Sequence, residues 1–230
     1  MRFLFLLFAI PQLLFASFSH DDCHKVLRKI NAEWVKREQL LQQFINLAAH
    51  EQEKGIPLLQ EAIVCCEKAI RYCDKILAKI AKKSKSEKKE TWWVEIKKGR
   101  EQQKLNLQAE INTMKEAIQK IHANVASQQM EYHYRESERI ALLAQTKIQT
   151  CSQFTLENIK DVFLVLQEVI QLYIHAKNHM GLALAALLKN PFFVQTDKEI
   201  LESQIDQYSQ VIEHYRKNLT QLTEQYTRSG

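Results

Sequence analysis

Apolar side chains recur at alternating intervals of four and three residues along most of this chain, with almost no glycine or proline to interrupt them. Between residues 20 and 50 the row reads Cys23, Leu27, Ile30, Trp34, Arg37, Leu41, Phe44 and Ala48. A helix turns by about 100° per residue, so this spacing lines one face and leaves the others polar. Such a helix is stable only when the apolar face is hidden against others like it. The chain has 4 Gly and 3 Pro in 230 residues. That leaves little for the tight turns of sheet-rich folds or for glycine loops that cradle phosphate. The expected class is all-α: long antiparallel amphipathic helices in a coiled-coil or helical bundle.

The pattern restarts after Gly55-Ile56-Pro57 as Leu59, Ile63, Cys66, Ile70, Cys73, Leu77 and Ile80. A flanking row of Leu58, Ala62, Ala69 and Ile76 widens that face beyond what one neighbour covers. The short connection predicts an antiparallel hairpin with Ala48 facing Leu59, Leu41 facing Cys66 and Trp34 facing Cys73. If Trp34 is fully buried there, its loss to Ala costs roughly 3–5 kcal/mol. A long helix is predicted from about Glu87 to Thr150, with a clean row at Leu107, Ile111, Met114, Ile118, Ile121 and Val125. The phase slips near Ser127-Gln128-Gln129 and resumes at Met130, Tyr134, Ser137, Ala141, Ala144 and Ile148, as a stutter or a break.

A fourth row runs Leu156, Ile159, Phe163, Leu166, Ile170, Tyr173, Lys177, Met180, Leu184, Leu187 and stops at Asn190-Pro191. The fifth reads Leu201, Ile205, Tyr208, Ile212, Tyr215, Leu219, Leu222, Tyr226, with Thr196 and Glu199 spaced as a capping box. Pairing these two sets Lys177 against Tyr208, a costly place for a lysine. The expected organisation is a leader at 1–19, an N-terminal helical bundle at 20–120 and a C-terminal one at 121–230. The two three-helix halves share the long central helix. A break near Ser127 would instead fold everything into one compact bundle. The shared-helix plan resembles spectrin-type tandem repeats in architecture, and implies no function.

Arg2 followed by the apolar stretch Phe3–Phe18, then polar Ser19-His20-Asp21-Asp22, has the layout of a secretory leader cleaved near Ser19. The expected location is therefore periplasmic, cell-envelope or secreted. The formal charge of +5 is a mild bias, and with export it argues against a nucleic-acid partner.

Motifs that would carry chemistry are missing. There is no GxGxxG, GxxxxGK, CxxC or HExxH, and no glycine-flanked serine elbow. No cofactor is expected. Cys23, Cys65, Cys66, Cys73 and Cys151 make an odd set. One heptad separates Cys66 from Cys73, roughly 10.5 Å of helix rise and beyond disulfide reach. The pair reads as small buried apolar residues, while Cys65 and Cys151 stay open to bridging. His175 and His179 stand one helical turn apart, the spacing of a two-histidine metal site, but on a face pointing away from the apolar row. A third ligand would have to come from the long helix or another chain.

Lys79 to Lys104 holds ten basic residues and four glutamates around Trp92-Trp93. Lys82, Lys83, Lys85, Lys88, Lys89, Trp92, Trp93, Lys97 and Lys98 are thus candidates for a partner or anionic membrane surface. The competing reading is a solvated turn with one Trp packed into the bundle end. Asn218-Leu219-Thr220 fits a glycosylation pattern within a predicted helix. The leading expectation is an exported structural or interaction protein without catalytic activity, joined through helix faces to another protein or to itself. Attachment to a membrane or envelope surface through the Lys/Trp connector is the first alternative. A metal or redox helical-bundle enzyme is the second.

Overall fold

The computed structural model describes residues 21–81, 91–150 and 159–229. Among them no strand occurs. The helices are α1 (Asp21–Ile45), α2 (Ile56–Ala81), α3 (Thr91–Thr150), α4 (Ile159–Leu187) and α5 (Gln195–Ser229), with a 3-10 helix at Ala49–Gly55. The protein is all-α, built of long amphipathic helices in antiparallel pairs. The leader and the lysine-rich part of the connector lie outside the described residues. Two compact units divide the chain after Ile118. Helix α3 contributes to both, and is helical without interruption through Ser127-Gln128-Gln129. The slip in spacing is therefore a stutter absorbed inside a continuous helix, and the alternative of a break does not occur.

In the first unit α1 and α2 form the hairpin. The turn forces Gly55 close to α1: a Cβ there would stand 2.5 Å from Phe44 Cδ2 and 2.8 Å from Leu47 Cδ1. Any larger residue there would push the Phe44 and Leu47 side chains aside. Pro57 follows in the first turn of α2, where a missing N–H costs no helical bond. Leu27 and Ile30 of α1, Cys73, Ile76 and Ile80 of α2, and Trp93 of α3 pack as one cluster. Trp34 only flanks it, half-buried, so the condition of full burial attached to its cost of roughly 3–5 kcal/mol is not met.

The second unit packs α3, α4 and α5. Ile140, Ala141 and Ala144 meet Val169, Ile170, Tyr173 and Ala176 of α4, with Ile212 of α5. A second cluster joins Met180, Ala183 and Leu187 to Leu201, with Met130 and Tyr134 against them. Tyr173 stacks on Tyr215 at 6.0 Å between ring centroids. On α5, Leu201 and Ile212 are buried, and Ile205, Tyr208, Tyr215 and Leu219 are half-buried along the predicted row. That helix starts one residue before Thr196, and Glu199 accepts a hydrogen bond from the Gln195 side chain at 3.3 Å. Gln195 thus engages the glutamate assigned to the capping box.

The middle of the buried face in α2 and α4 is not where the chosen rows placed it. In α2, Ala62, Ala69 and Ile76 are fully covered, while Ile70 and Leu77 are half-exposed. In α4 Ile170 of the predicted row stays buried, as does Ala186, and the other covered residues are Val162, Leu166, Val169, Tyr173, Ala176, Met180, Ala183 and Leu187. These also run at four and three. They share every second member with the predicted row but replace Phe163, Lys177 and Leu184 by smaller neighbours. Helices approach closest over small side chains, and the larger ones close the flanks. Lys177 is accordingly a half-buried flank residue, and Ala176 holds the seam.

Candidate functional site

Of the basic connector, Lys82, Lys83, Lys85, Lys88 and Lys89 lie outside the described residues, as does the side chain of Trp92. Trp93 is 4% exposed and packs against the α1–α2 hairpin, which removes it as a surface residue. Its ring is the larger apolar body at the start of α3, and burying it outweighs leaving it in water. Lys97 and Lys98 are exposed, with Lys97 3.8 Å from Glu101 on the same helix.

The two histidines one turn apart take different roles. His175 is exposed at an open groove of about 670 Å³, lined also by Lys147, Glu168, Arg216 and Leu219. His179 is half-buried and meets His133 of α3, with 3.2 Å between their Nδ1 atoms. His133, which sequence spacing did not single out, comes from the helix named as the source of another ligand. It faces His179 and lies edge-on to Tyr132, and among the described residues no three His, Cys, Asp or Glu side chains gather in a metal-holding group. Glu136 lies close enough for His179 to help lower its pKa, though the main cause is the hydrogen bonding of Arg139.

Cys65, Cys66 and Cys73 are free and buried, so no bridge joins Cys65 to another described cysteine. The side chain of Cys23 and all of Cys151 fall outside what is described. Burial raises all three thiols, Cys66 to about 11. Thiolate is the reactive form, so these sulfurs pack rather than react at neutral pH. Cys66 sits beside the most unusual polar contact of the first unit. Arg37 lies on the apolar face of α1, is 3% exposed, bonds Glu110 of α3 through Nη1, and stacks on Trp34 at 4.3 Å from the ring centroid. Burial raises the Glu110 carboxyl and outweighs the opposing pull of Arg37. The pair therefore fixes which face of α1 meets α3 more than it adds net stability.

A run of apolar residues stands exposed at the α4–α5 turn. Asn190 ends α4 by two contacts: its Oδ1 accepts from the Phe192 N–H at 2.9 Å, and its Nδ2 donates to Ser127 Oγ at 3.2 Å. The Phe193 N–H also donates to the Asn190 carbonyl at 3.2 Å. Pro191 prevents the helix from continuing. Held this way, Phe192 is 58%, Val194 56% and Phe193 37% exposed, with Leu188 and Ile200 half in water on either side. Sequence reading used Asn190-Pro191 only as a stop signal. The apolar run 192–194 immediately after it was the legible sign of an exposed tip.

Asn218 is half-buried inside α5 and contacts His214 at 3.1 Å, an ordinary helical side-chain pair. Among the described residues no helix is long and apolar enough to cross a membrane. No family profile matches this chain, and neither the curated proteins nor the solved structures contain a significant match.

Proposed function

We propose that this is an exported helical-bundle protein without catalytic activity, which joins another protein or a second copy of itself through the apolar tip between α4 and α5. The observation that carries this reading is the exposure of Phe192, Phe193 and Val194 on a turn pinned by Asn190. A rigid aromatic tip loses little conformational entropy on docking, and adjacent large apolar residues in water are what an interface core hides. Export rests on the leader-like first nineteen residues. The raised thiols of the first unit speak against thiol redox chemistry there.

The test is photocrosslinking from position 192 in the native host, with light scattering on the purified chain. The expected outcome is one discrete protein adduct, or a defined oligomer, that disappears in Phe193→Asp. Neither adduct nor oligomer would overturn the interaction reading. Subcellular fractionation with N-terminal sequencing is expected to find a mature chain beginning at His20. An uncleaved cytoplasmic chain would overturn export.

A second reading, attachment to an anionic membrane surface, has one specific observation in its favour: exposed Lys189 stands beside the aromatic tip. It predicts that vesicles with anionic lipid sediment the wild type. They would fail to sediment Phe192→Ser/Phe193→Ser, or, if the connector is the contact, Trp92→Ala.

A further inference from the structure

His133 and His179 come from different helices, and no helical repeat obliges their rings to meet. Their Nδ1 atoms are 3.2 Å apart, the ring centroids 5.4 Å apart, and the planes tilted by 44°. Two imidazole nitrogens bound about 2.0–2.1 Å from one tetrahedral zinc stand about 3.3 Å apart. Both rings are half-buried, so the nitrogens are held by the packing of α3 on α4 while solvent retains a way in. The level is a rigid one: one turn further along α3, Ser137 is fully buried and donates to the Ala176 carbonyl of α4 at 2.8 Å. Tyr132 meets His133 edge-on at 5.1 Å, which limits the ring's rotation.

From this convergence we infer that His133 and His179 form a binding site for a divalent transition ion such as zinc, bridging α3 and α4. The two Nδ1 atoms are the protein ligands, and water completes the tetrahedron. Glu136 is held by Arg139 through both carboxylate oxygens and supplies negative potential beside the ion instead of a bond. Without metal the same separation suits one N–H···N hydrogen bond. On binding, the donor imidazole carries its proton on Nε2 instead of Nδ1, so each ring offers a lone pair and no proton is lost overall. With only two protein ligands the ion is exchangeable, and it stabilises the α3–α4 contact in proportion to its concentration.

The inference stands apart from the proposed interaction function, because the α4–α5 tip contributes nothing to it. Its test is calorimetric titration of the full chain, purified without a polyhistidine tag, with zinc chloride. One ion per chain is expected, with the affinity reduced on the order of tenfold or more in His133→Gln and in His179→Gln. Loss even of a group that only supports a metal ligand costs that much. His175→Gln is expected to bind as the wild type does. Circular dichroism checks that each variant is folded. Nitrogen-15 spectra of the histidine side chains supply a readout that needs no substitution: zinc is expected to move the His133 and His179 Nδ1 resonances and leave His175 in place. Absent binding, unchanged affinity in both glutamine variants, loss of binding in His175→Gln, or unmoved His133 and His179 resonances would each overturn the site.

Discussion

The two units solve the same packing problem with different polar contacts beside their apolar clusters. Each lays part of α3 against an antiparallel hairpin. In the first, polar and charged pairs accompany the apolar packing of Trp93: Arg37 with Glu110, Lys104 with Asp74, and Cys73 beside Gln103 at 3.5 Å. In the second, small side chains line the contact: Ala141, Ala144 and Ala176 lie in one buried cluster, and the Ser137 hydroxyl donates to the Ala176 carbonyl. The charged contact specifies its partner by cost, since a misregistered Arg37 would bury its charge alone. The small-residue contact specifies by shape, since any larger residue holds the helices apart. Identical four-and-three spacing therefore leaves open how an interface is made.

The sharpest way to break the contrast is to remove one member of the charged pair. Glu110→Leu leaves an almost wholly buried guanidinium with only its 3.4 Å carboxylate contact to Glu38 and is expected to cost about 3 kcal/mol in urea unfolding. Adding Arg37→Met should recover most of that loss. Hydrogen exchange should place the weakened protection in α1 and α2. A single substitution without effect would mean that Arg37 reaches water and that the first unit is not charge-specified.

The second unit calls for the opposite experiment. Ala176→Leu is expected to cost about 2 kcal/mol by overpacking, whereas Lys177→Leu, one residue on, should leave the melting temperature within a degree or two. Equal effects at the two positions would return the seam of α4 to the row that includes Lys177.

The smallest expected effect concerns the thiols of α2. The folded pKa of Cys66 is raised to about 11 by burial, above an unfolded value near 9. The thiol's contribution to stability is therefore complete below about pH 9 and is lost as pH rises toward 11. Wild type should lose stability over that window relative to Cys66→Ala, and native Cys65, Cys66 and Cys73 should resist iodoacetamide at pH 8. Rapid alkylation of the folded chain would show that the first unit is more open than its packing.

Much of this was legible in the residues alone. Alternation of apolar positions, scarcity of glycine and proline, and the signals Gly55-Ile56-Pro57 and Asn190-Pro191 set the helices and their ends. Those are local properties, decided by backbone sterics and by which face of a single helix is oily. The candidate sites were legible only in part. His179 could be named from its spacing, but its partner His133 lies 46 residues away, a separation no periodicity encodes. One tryptophan of the adjacent pair could be read as packing into the bundle end, but adjacency in sequence does not say that it is Trp93.

What the sequence determined by itself is that these segments coil and which broad side of each turns inward. Tertiary structure decided which of two interleaved rows becomes the seam, because that depends on how near the neighbouring helix can come, a distance set by side chains on both helices at once. It also decided that a buried arginine at position 37 is tolerable and that two histidines should share a proton's width of space. Contacts of this kind exist only when distant parts of the chain are brought together, and their energies belong to the pair rather than to either residue.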